Sequence, residues 1–115
     1  MYAVVFEVKP KASGREEYLA IAARIKTFLE SQFGFISIER FQSLSEEVKV
    51  LSLSFWQNEP AIKEWRNLLE HRRAQKKGRE SLFAYYRIRV AKIIRDYSES
   101  DRVEAPEDSN DWLID

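Results

Sequence analysis

Phe55-Trp56-Gln57-Asn58-Glu59-Pro60 opens the segment 55–97, on which the choice of architecture turns, and Tyr85-Tyr86-Arg87-Ile88-Arg89-Val90 lies near its end. Its first residues leave a strand and enter a helix. Asn58 offers a side-chain oxygen to the orphan amide donors of the first turn, and Pro60, whose missing N–H costs nothing there, fits just inside the start. Ala61, Ile62, Trp65, Leu68, Leu69 and the stem of Arg72 then recur at helical spacing, which predicts one buried stripe. Gly78 marks the expected end of that pattern. Beyond it, Tyr86, Ile88 and Val90 alternate as in a strand, while Tyr86, Val90, Ile93, Ile94 and Tyr97 fit a helix. Periodicity alone leaves both readings open.

Upstream the pattern is clearer. Residues 2–9 alternate, with Tyr2, Val4, Phe6 and Val8 on one side and Ala3, Val5 and Glu7 on the other, which predicts a strand with a fully apolar face. Pro10 ends it. Ser13-Gly14-Arg15-Glu16 has the form of a capping box. Tyr18, Ala22, Ile25, Phe28 and Leu29, with Ile21 and Phe33 alongside, predict the buried stripe of a first helix, and Gly34 suits the left-handed residue past its end. Residues 35–42 read as a second strand, 43–47 as a polar turn and 48–56 as a third strand. In the third strand Lys49, Leu51, Leu53 and Phe55 face one side and Val48, Val50, Ser52, Ser54 and Trp56 the other. Both faces carry apolar residues. Helices can cover one face of such a sheet, so the other needs a partner, and a second subunit's sheet would supply it.

Composition bounds the class. The 115 residues suit one domain, and 44% apolar with 33% charged residues describes a globular chain. No apolar run approaches the roughly 18 residues that span a bilayer, and Met1-Tyr2-Ala3-Val4-Val5 lacks a basic leader, so a cytoplasmic location is the expectation and no membrane partner is expected. The absence of cysteine excludes a disulfide or thiolate nucleophile, and a single histidine excludes a multi-histidine metal site within one subunit. The net charge of zero conceals an asymmetry. Residues 98–115 hold seven acids against one base, Arg102, and so carry six net negative charges, balanced by six positive charges in residues 1–97. The basic run Arg72, Arg73, Lys76, Lys77 and Arg79 reads as a solvated helix face. The acidic segment reads as a flexible tail, except that Trp112, Leu113 and Ile114 are expected to dock in an apolar groove.

Phe55, Trp65, Glu70-His71-Arg72, Ala74-Gln75, Tyr86-Arg87-Ile88-Arg89-Val90 and Arg95-Asp96-Tyr97 together resemble the antibiotic biosynthesis monooxygenase (ABM) superfamily. The resemblance covers roughly residues 2–97 and decides the ambiguous segment: in that family it is the fourth strand of a dimeric α+β barrel. The expected architecture is then α+β, with ferredoxin-like order βαββαβ and a four-stranded antiparallel sheet. It divides into an ABM-like domain over 1–97 and an acidic tail over 98–115.

The resemblance implies a homodimer with a cavity between the sheet and helices of each subunit. It also implies a cofactor-independent oxygenase acting on a small aromatic or quinol-like molecule. Trp65 and His71 match the family pattern, as the expected catalytic residues. A cofactor-free oxygenase needs a base that makes an electron-rich substrate anion, and His71 is the one side chain here whose unperturbed pKa lies near neutrality. Tyr18, Phe28, Phe83, Tyr85 and Tyr86 are the expected substrate-binding residues. Six positions at about 100° each place His71 about 120° away from Trp65 around a continuous helix, so both enter one pocket only if the helix breaks near 69–72. No metal or cofactor is expected. Haem-degrading relatives also use an asparagine in the first strand, and residues 2–9 contain none.

The alternative is a non-catalytic dimer of the same fold that binds a small molecule or regulates. The same element order serves RNA-recognition domains, but 48–55 lacks their Gly-aromatic pattern, so nucleic acid is not an expected partner.

Overall fold

The computed structural model describes residues 1–74 and 83–111, with side chains for 1–68 and 83–111. Its elements run β1 (Tyr2–Pro10), α1 (Arg15–Leu29), β2 (Phe35–Gln42), β3 (Val50–Trp56), α2 (Glu59–Ala74), β4 (Phe83–Lys92) and α3 (Glu107–Asp111). This is the ferredoxin-like α+β order followed by a short added helix. The sheet order is β2-β3-β1-β4, and every neighbouring pair is antiparallel. The final segment is therefore a strand. Val4, Phe6 and Val8 stand opposite Val90, Ile88 and Tyr86, and this cross-strand match of apolar residues settles what periodicity leaves open.

Side chains alternate across the sheet, so the register sorts its two faces. Tyr2, Val4, Phe6 and Val8 share the helix-covered face with Val50, Ser52, Ser54 and Trp56. One core packs Trp56, 1% exposed, against Leu29, Ala61 and Ile62, with Trp65 and Ile25 at its margin. A second joins Val8, Tyr18 and Val50, with Phe6 and Phe83 against them. The opposite face carries the half-buried Val5, Leu51, Leu53 and Phe55 and the exposed Phe41. It also carries Glu7, which pairs with Arg89 at 3.2 Å and Lys49 at 3.5 Å.

The helix entry predicted at Asn58 forms: its Oδ1 accepts from the Ala61 amide at 3.0 Å. Two expectations about the first helix need correction. The Ser13 to Glu16 capping box is not made. A 3-10 turn over Ala12–Gly14 carries the chain into α1, whose N-cap position is Gly14 with no side-chain hydrogen bond. Of the expected α1 stripe, Tyr18, Ala22 and Leu29 are buried, but Phe28 is 44% and Phe33 76% exposed. Phe28 lies about 100° round from Leu29, and Phe33 lies beyond the helix end.

The acidic segment is not structureless. Its one base organises it: Arg102 donates from Nε to Asn110 Oδ1 at 3.0 Å, from Nη2 to Ser109 Oγ at 2.9 Å and from Nη1 to the Ser98 carbonyl at 3.1 Å, and it lies 5.0 Å from the Tyr97 ring centre. Five donors on one planar group hold turns that composition alone does not predict. The expected docking of Trp112, Leu113 and Ile114 lies outside the described residues, as does the helix end expected at Gly78. Among the described residues no helix is long and apolar enough to cross a membrane.

Candidate functional site

Small side chains stand in the middle of β3 on its helix-covered side. Ser52 and Ser54, each 7% exposed, occupy helix-facing positions where a packed sheet normally carries large apolar residues. Ser54 is committed, since its Oγ accepts the Trp56 indole N–H at 2.9 Å. Trp56 in turn lies 6.5 Å from Trp65 at an interplanar angle of 33° and meets Phe35 edge-on at 5.4 Å. Trp65 is thus a half-buried wall at the margin of the core.

Beside these serines is an aromatic cluster drawn from three elements. Phe83 meets Tyr18 edge-on at 5.5 Å, Phe6 at 5.9 Å and Tyr86 at 6.0 Å, and Phe6 lies 6.1 Å from Tyr86. Edge-to-face contacts at these separations are favourable for the ring quadrupoles. Tyr86, Ile88 and Val90 continue along β4 on the same side yet are 56%, 55% and 48% exposed. They form an apolar shelf against which a small hydrophobic molecule can lie.

Of the residues expected to bind substrate, the structure brings Tyr18, Phe83 and Tyr86 together and adds Phe6. It does not bring Phe28 or Tyr85 to them. Phe28 is ten residues along α1 from Tyr18, about 15 Å. Tyr85 points to the opposite face, where the Lys9 ammonium lies 5.4 Å from its ring centre. The α2 backbone runs unbroken from Glu59 to Ala74, so positions 65 and 71 are separated by about 120° around it. The side chain of His71 lies outside the described residues.

At the polar edge of the cluster stands Arg40. Its position in β2 pairs with Ser52 on the helix-facing side, and its Nη2 donates to the Ala22 carbonyl at 3.3 Å. The guanidinium lies beside the Tyr18 phenol. Burial pushes that phenol above its ordinary pKa of 10.0, and the cation pulls it partly back. Arg40 Nε is fully buried with no hydrogen-bond partner. Nothing in the sequence marks this residue, because an arginine within an alternating strand reads as solvent-facing until the register is known.

The profile of the antibiotic biosynthesis monooxygenase family matches residues 1–77. The jasmonate monooxygenase ABM of Pyricularia oryzae is 40% identical over 93 residues, 81% of this chain and 43% of that protein, so the chain spans less than half of this relative. An uncharacterised Bacillus subtilis protein, YqjZ, is 32% identical over 82% of the chain and 80% of its own length. Among solved structures, a mutant of SnoaB, a cofactor-independent oxygenase from Streptomyces nogalater, superposes with a TM-score of 0.66. It is 15% identical and covers 85% of this chain and 97% of its own. The heme-degrader MhuD from Mycobacterium tuberculosis, 14% identical over 85% of this chain and all of its own, gives 0.64. At such identities these structures share the fold. With the profile match, the 40% identity and the βαββαβ sheet in agreement, the chain belongs to the antibiotic biosynthesis monooxygenase family.

Proposed function

We propose that this chain is a cofactor-independent monooxygenase acting on a small aromatic or quinol-like molecule. The observation that carries the reading is the cluster of Phe6, Tyr18, Phe83 and Tyr86 beside a half-exposed shelf of Ile88 and Val90, all on the helix-covered face. A ring lying against this cluster loses water on the side that meets Phe6, Tyr18 and Phe83, and an oxygen-reactive anion gains from that exclusion. Jasmonate, in the name of the Pyricularia relative, is likewise small, ring-bearing and mostly apolar.

In this proposal His71 removes a proton from the substrate and Trp65 bounds the pocket. The electron-rich anion reduces dioxygen itself. In balanced form, a methylene flanked by electron-rich rings and one O2 become a carbonyl and one water, so the substrate supplies all the electrons. The unit is a homodimer, which would cover the apolar face of Val5, Phe41, Leu51, Leu53 and Phe55.

The test is oxygen consumption against a panel of quinols and of phenols that carry a ring-flanked methylene, with the mass in solution measured by light scattering. The expected result is a dimer that consumes oxygen stoichiometrically with product, with His71→Ala slowing kcat about 100-fold. A folded dimer that consumes no oxygen across the panel would favour a binding role instead, and an unchanged kcat in His71→Ala would remove the base from the reading.

A further inference from the structure

Four residues form a row across the helix-covered face: Arg40 stands opposite Ser52, Ser52 opposite Phe6, and Phe6 opposite Ile88. With strands about 4.8 Å apart, the row spans about 14 Å from a cation to an aliphatic side chain. Its polar half is poorly satisfied. Arg40 is half-buried with its Nε fully buried, and a guanidinium withdrawn from water in this way ordinarily faces a carboxylate, whose charge offsets the lost hydration. Arg40 has the Ala22 carbonyl at a long 3.3 Å and the Tyr18 phenol, but no acid pairs with it among the described residues. Its neighbours in sequence do not help, since Glu39 lies on the other face, opposite Leu53. Ser52, buried beside it, makes no side-chain hydrogen bond among the described residues.

We propose that Arg40, with the hydroxyls of Tyr18 and Ser52, is the anion anchor of this pocket, and that the site selects small apolar molecules bearing one carboxylate. The inference rests on the oxygenase reading of the same pocket and names its substrate class. A carboxylate presents two coplanar acceptor oxygens, and the guanidinium fork with two hydroxyls supplies the matching donors. Tyr18 keeps its proton to high pH because it is buried, and so remains a donor. The apolar remainder of the ligand follows from the contacts. Tyr18 meets Phe83 edge-on, Phe83 meets Phe6 and Tyr86, and the row ends on the half-exposed Ile88. An acid group seated at Arg40 places its hydrophobic frame along that wall.

The probes are jasmonate and its methyl ester, identical in their rings and chains but only one of them charged. Binding is followed by tryptophan fluorescence and by the rise in Tm on ligand addition. The expected result is that the wild-type protein binds the acid at least about 10-fold more tightly than the ester, the usual scale for a hydrogen bond to a charged group. Arg40→Gln should bring the acid down to the ester's affinity and leave the ester's affinity unchanged, and Arg40→Lys should keep part of the preference. Should Arg40→Gln fail to fold, Tyr18→Phe serves, with about a threefold to tenfold loss expected for the acid only. Equal binding of acid and ester by the wild type overturns the anchor while leaving an oxygenase of neutral molecules standing. Binding of neither also overturns it, and oxygen consumption with quinols then judges the oxygenase reading separately.

Discussion

Gly34 and Ala61 pack so closely that a Cβ built on Gly34 would stand 2.6 Å from the Ala61 Cβ. Gly34 also holds φ at +81° and accepts the Gln57 amide at 2.8 Å, so one residue joins the start of β2 to the junction of β3 and α2. Gly34→Ala therefore meets two costs. The left-handed backbone costs about 1–2 kcal/mol for a residue with a Cβ, and relieving the overlap costs about 1–3 kcal/mol. The expected outcome is a loss of about 2–5 kcal/mol by urea unfolding. A loss under about 0.5 kcal/mol would show that the junction gives way freely.

Ser54→Ala tests whether the serines of β3 are there for packing or for polarity. The substitution leaves the buried Trp56 N–H without its acceptor, which costs about 1–3 kcal/mol. Ser52→Ala removes a hydroxyl with no side-chain hydrogen bond among the described residues, so the apo protein should lose less than about 0.5 kcal/mol. Unfolding of the two variants side by side should give this order. The reverse order would place the structural role on Ser52.

The contrast between these serines shows how far the residues alone could be read. Alternation over 2–9 and 48–56 places the strands, and the Asn58 cap locates α2, because each rests on local chemistry that the tertiary structure does not override. The fourth strand fits two periods; the family resemblance chooses the strand, and its pairing with Val4, Phe6 and Val8 supplies the physical reason. The aromatic wall is partly legible: Tyr18, Phe83 and Tyr86 converge, whereas Tyr85, one residue along a strand, falls on the opposite face. Arg40 is not legible, because its meaning depends on the Ser52 register and on the α1 carbonyl above it.

Tyr18 should be visible in an alkaline titration. Its phenol is pushed above the ordinary value of 10.0, first by burial. The folded state thus holds this proton more tightly than the unfolded chain does. Its stabilising contribution is full below pH 10 and is lost as pH rises from there through the raised folded value. Absorbance at 295 nm in the folded protein should show one phenol ionising late, and Tyr18→Phe should remove that step. Stability curves between pH 9 and 11 should also fall less steeply in the variant. Loss of an early-ionising phenol instead would contradict the desolvated placement.

Arg102 presents the opposite situation, a cation whose donors are largely occupied. It ties Ser98, Ser109 and Asn110 together and lies over Tyr97, while the Asp96 amide is capped by Glu104 at 3.0 Å. Replacing the guanidinium releases the turns over 98–110, because no other base lies in that segment to take over its contacts. The sheet does not depend on these bonds, which all lie within residues 97–110. Arg102→Ala should therefore speed limited proteolysis and amide exchange in 98–110 by about tenfold or more, with the unfolding of the body unchanged within about 0.5 kcal/mol. Arg102→Lys should be nearly as fast as alanine, since an ammonium cannot reproduce the planar fork. Protection of 98–110 that survives both substitutions would mean that the segment is held by something other than Arg102.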